Sequence, residues 1–270
     1  MRIRTLSLLA LLTCACTTAC TTEEGTDEVG GETSSESESG SSETASESES
    51  GTEGTDTSTA EQVLVTGDAF AFGPGTMIPN AAISVLELPD ASTTSDDAGH
   101  FELTLPAGAE ATFVLEKAGY PKIYTKTFTL PDSGTLERVS FQVPDDATFA
   151  ALASIVMIEP DPATCQLAST VTRVGKSIYD AGAHGEAGAT VTIEPALPAE
   201  HGPVYFNASV IPQPSLTETS DDGGVLYTNV PAGTYVLHAS KAGVEFIDVT
   251  IRCDAGVLVN PSPPYGLQAL

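Results

Sequence analysis

Two adjacent carboxylate pairs, Asp96-Asp97 and Asp221-Asp222, are the residues of this 270-residue chain whose type and spacing first invite a chemical reading. Neighbouring aspartates serve a divalent cation, an acid–base dyad or a tight turn. Both pairs lie in a repeated stretch: residues 94–108 read TSDDAGHFELTLPAG and residues 219–233 read TSDDGGVLYTNVPAG, identical at eight of fifteen positions without a gap. A calcium site needs about six to eight oxygens, and nothing else that repeats in both copies completes the shell. A dyad needs a shared pocket, whereas each pair stands between two predicted strands and is followed within two residues by Gly99 or Gly224. Aspartate side chains bond to nearby backbone amides and glycine accepts positive φ, so both pairs are expected to turn the chain.

Further catalytic or metal-binding arrangements are sparse. The folded part holds no Gly-x-Ser-x-Gly elbow, no His-Glu-x-x-His, no phosphate-cradling glycine loop and no Cys-x-x-Cys. His100 and Glu102 share one face of a strand, an arrangement common on solvated faces. The expectation is a protein that is not an enzyme, with no catalytic residues, no metal and no cofactor. Cys165 and Cys253, the only cysteines beyond the N-terminal region, share parity with Leu167 and Val171 and with Ile247, Val249 and Ile251. Both should point inward from the first and last strands of the second repeat and form a disulfide.

The start, MRIRTLSLLALLTCACTTACTT, carries Arg2 and Arg4, an apolar run from Leu6 to Leu12, then small residues and cysteines. It reads as an export signal over 1–20, with an apolar run about half the roughly 20 residues of a spanning helix. Its cysteines resemble the lipobox of bacterial lipoproteins, which implies lipidation at Cys20 or Cys16, each of which follows an alanine. That resemblance implies a membrane anchor and an outer-membrane lipoprotein of the cell envelope, its face unspecified. Residues 21–61 hold thirteen acids, no Lys or Arg, and almost only Ser, Thr, Glu, Gly and Asp. Such a segment cannot offset chain entropy and is expected to be a disordered acidic tether. The remainder holds 24 acidic and 8 basic residues, which argues against nucleic acid as a partner.

The elements that must position these residues are short strands. GATVTIEP (188–195) alternates strictly, with Ala189, Val191 and Ile193 on one face, and Ala81, Ile83 and Val85 match it in the first copy. After the aspartates, Phe101, Leu103 and Leu105 alternate inward in one copy and Leu226 and Val230 in the other, leaving Tyr227 facing out. PAG turns the chain into a third strand that ends at KAG in both copies. Between the copies, Asp145 or Asp146 caps a helix that places Phe149, Leu152 and Ile155 or Val156 on one face and ends before Pro160. An insertion, Pro195 to Glu218, sets Tyr205 and Phe206 side by side on opposite faces of a possible strand.

Gly188-Ala189-Thr190-Val191, Thr219 to Gly224, Pro231-Ala232-Gly233-Thr234-Tyr235 and Ala242-Gly243 resemble the motifs of the carboxypeptidase regulatory-like domain, a transthyretin-like or prealbumin-like sandwich. The first copy lacks the glycine at Asn80 and the tyrosine. The resemblance implies an all-β fold: two tandem prealbumin-like β-sandwiches (62–143 and 165–270) joined by a short helix (144–164) and preceded by the linker. It implies binding or scaffolding by a non-catalytic envelope protein, with a protein or glycan partner unspecified. A carbohydrate-binding surface lipoprotein is the alternative. With no tryptophan in the chain, its contacts would be Tyr205, Phe206 and Tyr227, with Tyr265 in reserve. A remote alternative is an intradiol-dioxygenase-like iron enzyme, drawing on Tyr179, Tyr205, Tyr227, Tyr235, His184, His201 and His238. It lacks that family's near-adjacent histidine pair, since His238 is followed by Ala239 and Ser240.

Overall fold

Strands dominate the computed structural model, which describes residues 61–180 and 182–270. The expected signal, Cys16, Cys20 and nearly all of the acidic tether lie outside the described residues. The first half contributes β1 (Gln62–Ala71), β2 (Ala82–Val85), β3 (Ser92–Thr94), β4 (His100–Pro106), β5 (Glu110–Glu116), β6 (Ile123–Thr129), β7 (Thr135–Leu136) and β8 (Phe141–Val143). Helix α1 (Asp146–Ile155) follows. The second half contributes β9 (Cys165–Thr172), β10 (Thr190–Glu194), β11 (Val204–Phe206), β12 (Pro212–Gln213), β13 (Gly224–Val230), β14 (Gly233–Ser240), β15 (Val249–Cys253), β16 (Leu258–Val259) and β17 (Leu267–Gln268). All the described residues belong to one compact unit.

The pairing scheme of the first half recurs in the second. β1 pairs antiparallel with β4 and parallel with β7 and β8. β9 pairs antiparallel with β13 and parallel with β16 and β17. Sheet β10-β14-β15 matches β2-β5-β6 in order and sense. The insertion adds β11 and β12 beyond β13, where β4 has no further neighbour.

The halves are not separate bodies on a string. β16 lies parallel between β9 and β6, so one sheet runs β12-β11-β13-β9-β16-β6-β5-β2-β3 through both halves. Side chains alternate across a sheet, and the two cores accordingly lie on opposite faces of this one. Leu115, Ile123 and Leu258 belong to the first core, while their neighbours Val114, Tyr124 and Val259 belong to the second. The sheet containing β4, β1 and β7 covers the first core, and β10-β14-β15 covers the second.

Of the expected inward residues, Ala81, Ile83, Val85, Phe101, Leu105, Ala189, Val191, Ile193 and Val230 are buried and Leu103 is half-buried. Cys165 and Cys253 form the expected disulfide, with Cα atoms 5.5 Å apart, and both side chains are fully buried in the second core. Two inward assignments are corrected: Ile247, which precedes β15 and lies outside its alternation, is exposed, and the second lies in β13. Val225 and Tyr227, rather than Leu226, face the second core, because β13 carries a bulge between Tyr227 and Val230. Asn229 occupies the left-handed region there, at φ 51°.

That bulge compensates for an earlier one-residue shift. Ser95 Oγ accepts from Ala81 N at 2.9 Å and donates to Ile78 O at 2.8 Å. Thr219, which aligns in sequence with Thr94, makes the equivalent bonds to Ala189 N and Glu186 O. Gly99 and Gly223 then turn the chain at φ 77° and 79°. The ungapped sequence match is thus one residue out of structural register across the turn, and the extra residue at Asn229 restores it before PAG.

Candidate binding cavity

Helix α1 lies over the face of β16, β9 and β13 that points away from the second core. Asp145 caps it, its Oδ1 accepting from Thr148 N at 2.7 Å. This satisfies one of the free amides of the first turn and holds the Asp145 carboxyl below the usual carboxylate range. Phe149, Leu152, Ala153 and Val156 face the sheet, whereas Ile155 turns to solvent. The helix does not fill the space beneath it. A cavity of about 250 Å3 remains, walled below by Gln166, Ala168, Leu226, Thr228 and Leu258 and above by the helix.

Two of the polar side chains lining this cavity, Gln166 and Asn260, are already engaged, whereas Ser169 Oγ and Ser262 Oγ are buried without a hydrogen-bond partner among the described residues. Gln166 exchanges two hydrogen bonds with Asn229, donating through Nε2 to Oδ1 (2.8 Å) and accepting from Asn229 N (3.0 Å). Asn260 donates to Gln142 O at 3.1 Å and accepts from Ser262 N at 3.1 Å. At the end formed by Phe206, Gly224, Asp222 and His184 the situation differs. Asp222 Oδ2 accepts from Gly224 N at 3.1 Å, while Oδ1 receives no hydrogen bond from any described residue. Burial pushes the Asp222 carboxyl up, opposed by the Gly224 amide and by His184 nearby. Gly185 and Gly223 make this end: a Cβ on Gly185 would fall 2.2 Å from Gly223 N, so only two glycines allow the loop to bring His184 beside Asp222.

The residues expected to contact a ligand are placed differently from one another. Tyr205 and Tyr227 are both 2 % exposed and tie the second core together. Val191 N donates to Tyr205 Oη at 2.9 Å, and Tyr227 Oη donates to Val191 O at 3.0 Å. Neither ring is available as a platform, which corrects the expectation of an outward Tyr227. Burial pushes the hydroxyls of both above the usual tyrosine value. Phe206 lies on the opposite face of β11 and lines the cavity, so both expected faces exist but each is covered. Tyr265 is half-buried, its carbonyl accepting from Thr172 Oγ1 at 2.6 Å.

The seven residues drawn on for an iron site serve separate purposes. Tyr179 packs against Phe70, with ring centroids 5.6 Å apart, under the Arg138 guanidinium, and burial pushes its hydroxyl up to about 12. Tyr235 donates to Pro231 O at 3.0 Å. His201 Nδ1 meets Thr228 O at 3.0 Å, and His238 Nδ1 meets Asp248 Oδ1 at 2.8 Å. The aspartate pairs also have structural partners. Asp96 Oδ1 accepts from Ala98 N (2.8 Å) and His100 N (2.9 Å), and Asp221 pairs with Arg173 at 2.7 Å. Among the described residues no group of three or more His, Cys, Asp or Glu side chains is placed to hold a metal ion.

The cavity was not anticipated from sequence, although a signal exists. CQLASTVT in β9 and GVLYTNV in β13 contain no charged residue on either face. Strands that read this way are covered on both sides.

No family model and no curated protein matches the chain. Solved structures similar to it include the TIE protein of Bacillus anthracis, 14% identical, with a TM-score of 0.28, covering 74% of this chain and 33% of that one. A minor pilin of Streptococcus agalactiae is 11% identical over 78% of this chain and 96% of its own, with a TM-score of 0.25. A putative carbohydrate binding protein from Bacteroides uniformis is 12% identical over 71% and 96%, with a TM-score of 0.27.

Proposed function

We propose that this is a non-catalytic, lipid-anchored envelope protein that binds or scaffolds through two tandem prealbumin-like β-sandwiches, 62–143 and 165–270, held off the membrane by the acidic segment 21–61. The observation that carries the reading is that the side chains capable of chemistry hold the fold instead. Asp96 closes a turn, Asp221 pairs with Arg173, and Tyr205 and Tyr227 clamp Val191. With those tyrosines in the core, recognition of a partner falls to strand edges, loops and the cavity under α1.

Anchoring follows from the lipobox resemblance at Cys20 or Cys16, since one acyl chain alone binds membranes marginally and several make retention stable. Thr21 or Thr17 follows the modified cysteine, rather than the aspartate that retains many lipoproteins in the inner membrane, and the protein is placed in the outer membrane on that ground. Mass spectrometry of the mature N-terminus with membrane fractionation tests the reading. Acylation at Cys20 or Cys16 with recovery in the outer membrane supports it. A soluble wild type, or normal acylation in a Cys16→Ala/Cys20→Ala double variant, overturns it.

A further inference from the structure

We infer that the cavity between α1 and the β16–β9–β13 face binds a small amphiphile with an apolar body and a primary-amine head. This goes beyond anchoring and scaffolding, neither of which requires an internal site. An apolar cavity of about 150 Å3 already accepts a benzene ring, so about 250 Å3 has room for roughly ten heavy atoms. The body would lie among Phe149, Leu152, Val156, Leu226 and Leu258. From Gly224 to Thr228 the floor extends four residues along β13, about 14 Å at strand spacing. An elongated molecule therefore fits better than a compact one.

The charge of the lining selects the head. Asp222 is its one carboxylate, His184 stands beside it, and the lining contains no Lys or Arg. A carboxylate head would face the Asp222 carboxylate with no Lys or Arg in the lining and only the His184 imidazole beside them to offset two negative charges, an arrangement that burial makes costly. An ammonium instead meets Asp222 Oδ1, which no described residue engages. Asp222 and His184 are half-buried while Leu258 and Thr228 are buried. The head therefore sits toward solvent and the body runs inward. The roof can yield to admit it, because Ala153 is the only buried residue of α1.

The test uses the full chain with n-octylamine, octan-1-ol and n-octanoate below their aggregation concentrations, read by calorimetry and thermal melting. Expected are saturable binding of octylamine with a raised Tm, weaker binding of octanol, and octanoate at least tenfold weaker than the amine. Asp222→Asn keeps an acceptor for Gly224 N, so it should fold normally and lose most of the preference for amine over alcohol. Ala168→Phe, which fills the floor, should abolish binding of all three. If that variant does not fold, Leu152→Trp fills the same space from the helix side. Equal binding of amine and carboxylate, no saturable binding of any probe, or amine binding unchanged in Asp222→Asn and the filled variant would each overturn the inference.

Discussion

The strands around β1 and those around β9 follow one plan, yet they end differently. β7 pairs with β1 alone, whereas its counterpart β16 pairs with β9 and passes the sheet on to β6 of the other half. Val63, which faces Leu105 in the first half, corresponds by pairing to Cys165, which faces Val230 in the second. Leu103 is half-buried where Tyr227 reaches across the core. The first half therefore relies on apolar packing. The second adds a disulfide, two tyrosine clamps, a bulge and a two-strand insertion. The additions cluster around the sheet that is covered on both faces, which is also where the cavity lies. Duplication supplied the scaffold, and divergence of one copy supplied the site.

The largest expected effect breaks the asymmetry in cross-linking. A Cys165→Ala/Cys253→Ala variant removes a bridge across 88 residues, for which the chain-entropy model gives roughly 4 to 5 kcal/mol against a measured range of about 0 to 5. Denaturant unfolding should show a loss of several kcal/mol. A double valine variant, imitating Val63, should recover only part of it.

Next comes the bulge. The Asn229 side chain accepts from Asp161 N and Gln166 Nε2 and donates to Glu159 O. Asn229→Ala should cost about 2 to 4 kcal/mol through these bonds and the left-handed backbone. Asn229→Gly, which relieves only the backbone, should recover about 1 kcal/mol of that in the same titration. Tyr227→Phe, which makes the clamp more like the first half, should cost about 1 kcal/mol.

The smallest effects concern the turns and the first half's half-buried histidine, His100. Asp96→Asn keeps the turn acceptor and should change stability by less than about 0.5 kcal/mol. Neither wild type nor variant should show a Tm that responds to calcium or chelator, and a rise of many degrees with calcium would make the turns binding sites. The pKa of His100 is raised, chiefly by its hydrogen bond to Asp68 at 3.0 Å and against the opposing effect of burial. A raised imidazole pKa favours folding fully below its unfolded value of 6.5 and loses that contribution as pH rises through the folded value. Tm should therefore slip slightly as pH climbs past that region, and Asp68→Asn should flatten the slope.

Strict alternation made the strands legible: Ala189, Val191 and Ile193 face inward as the period requires. The disulfide followed from parity of the same kind, and α1 from its aspartate cap and the spacing of Phe149, Leu152 and Val156. Tyr227 was misplaced because the ungapped match of residues 94–108 with 219–233 conceals two opposite one-residue shifts. A single-residue slip exchanges the faces of a strand. The junction at β16 was also hidden, since two residues carry no periodicity and their pairing with β6 spans more than a hundred residues of chain. The uncharged sequences of β9 and β13 mark strands covered on both faces, but the cavity's lining comes together only where that junction assembles the sheet.

Continuity of the sheet through β16 is tested most directly by residue-resolved hydrogen exchange at two amides. Leu258 N donates to Lys122 O and Asn260 N to Tyr124 O, each at 2.9 Å, across the boundary between the halves. Both amides should exchange as slowly as those of β9 and become unprotected only with global unfolding. Exchange at the rate of an exposed loop, with β6 and β9 still protected, would contradict the shared sheet and leave two independent sandwiches.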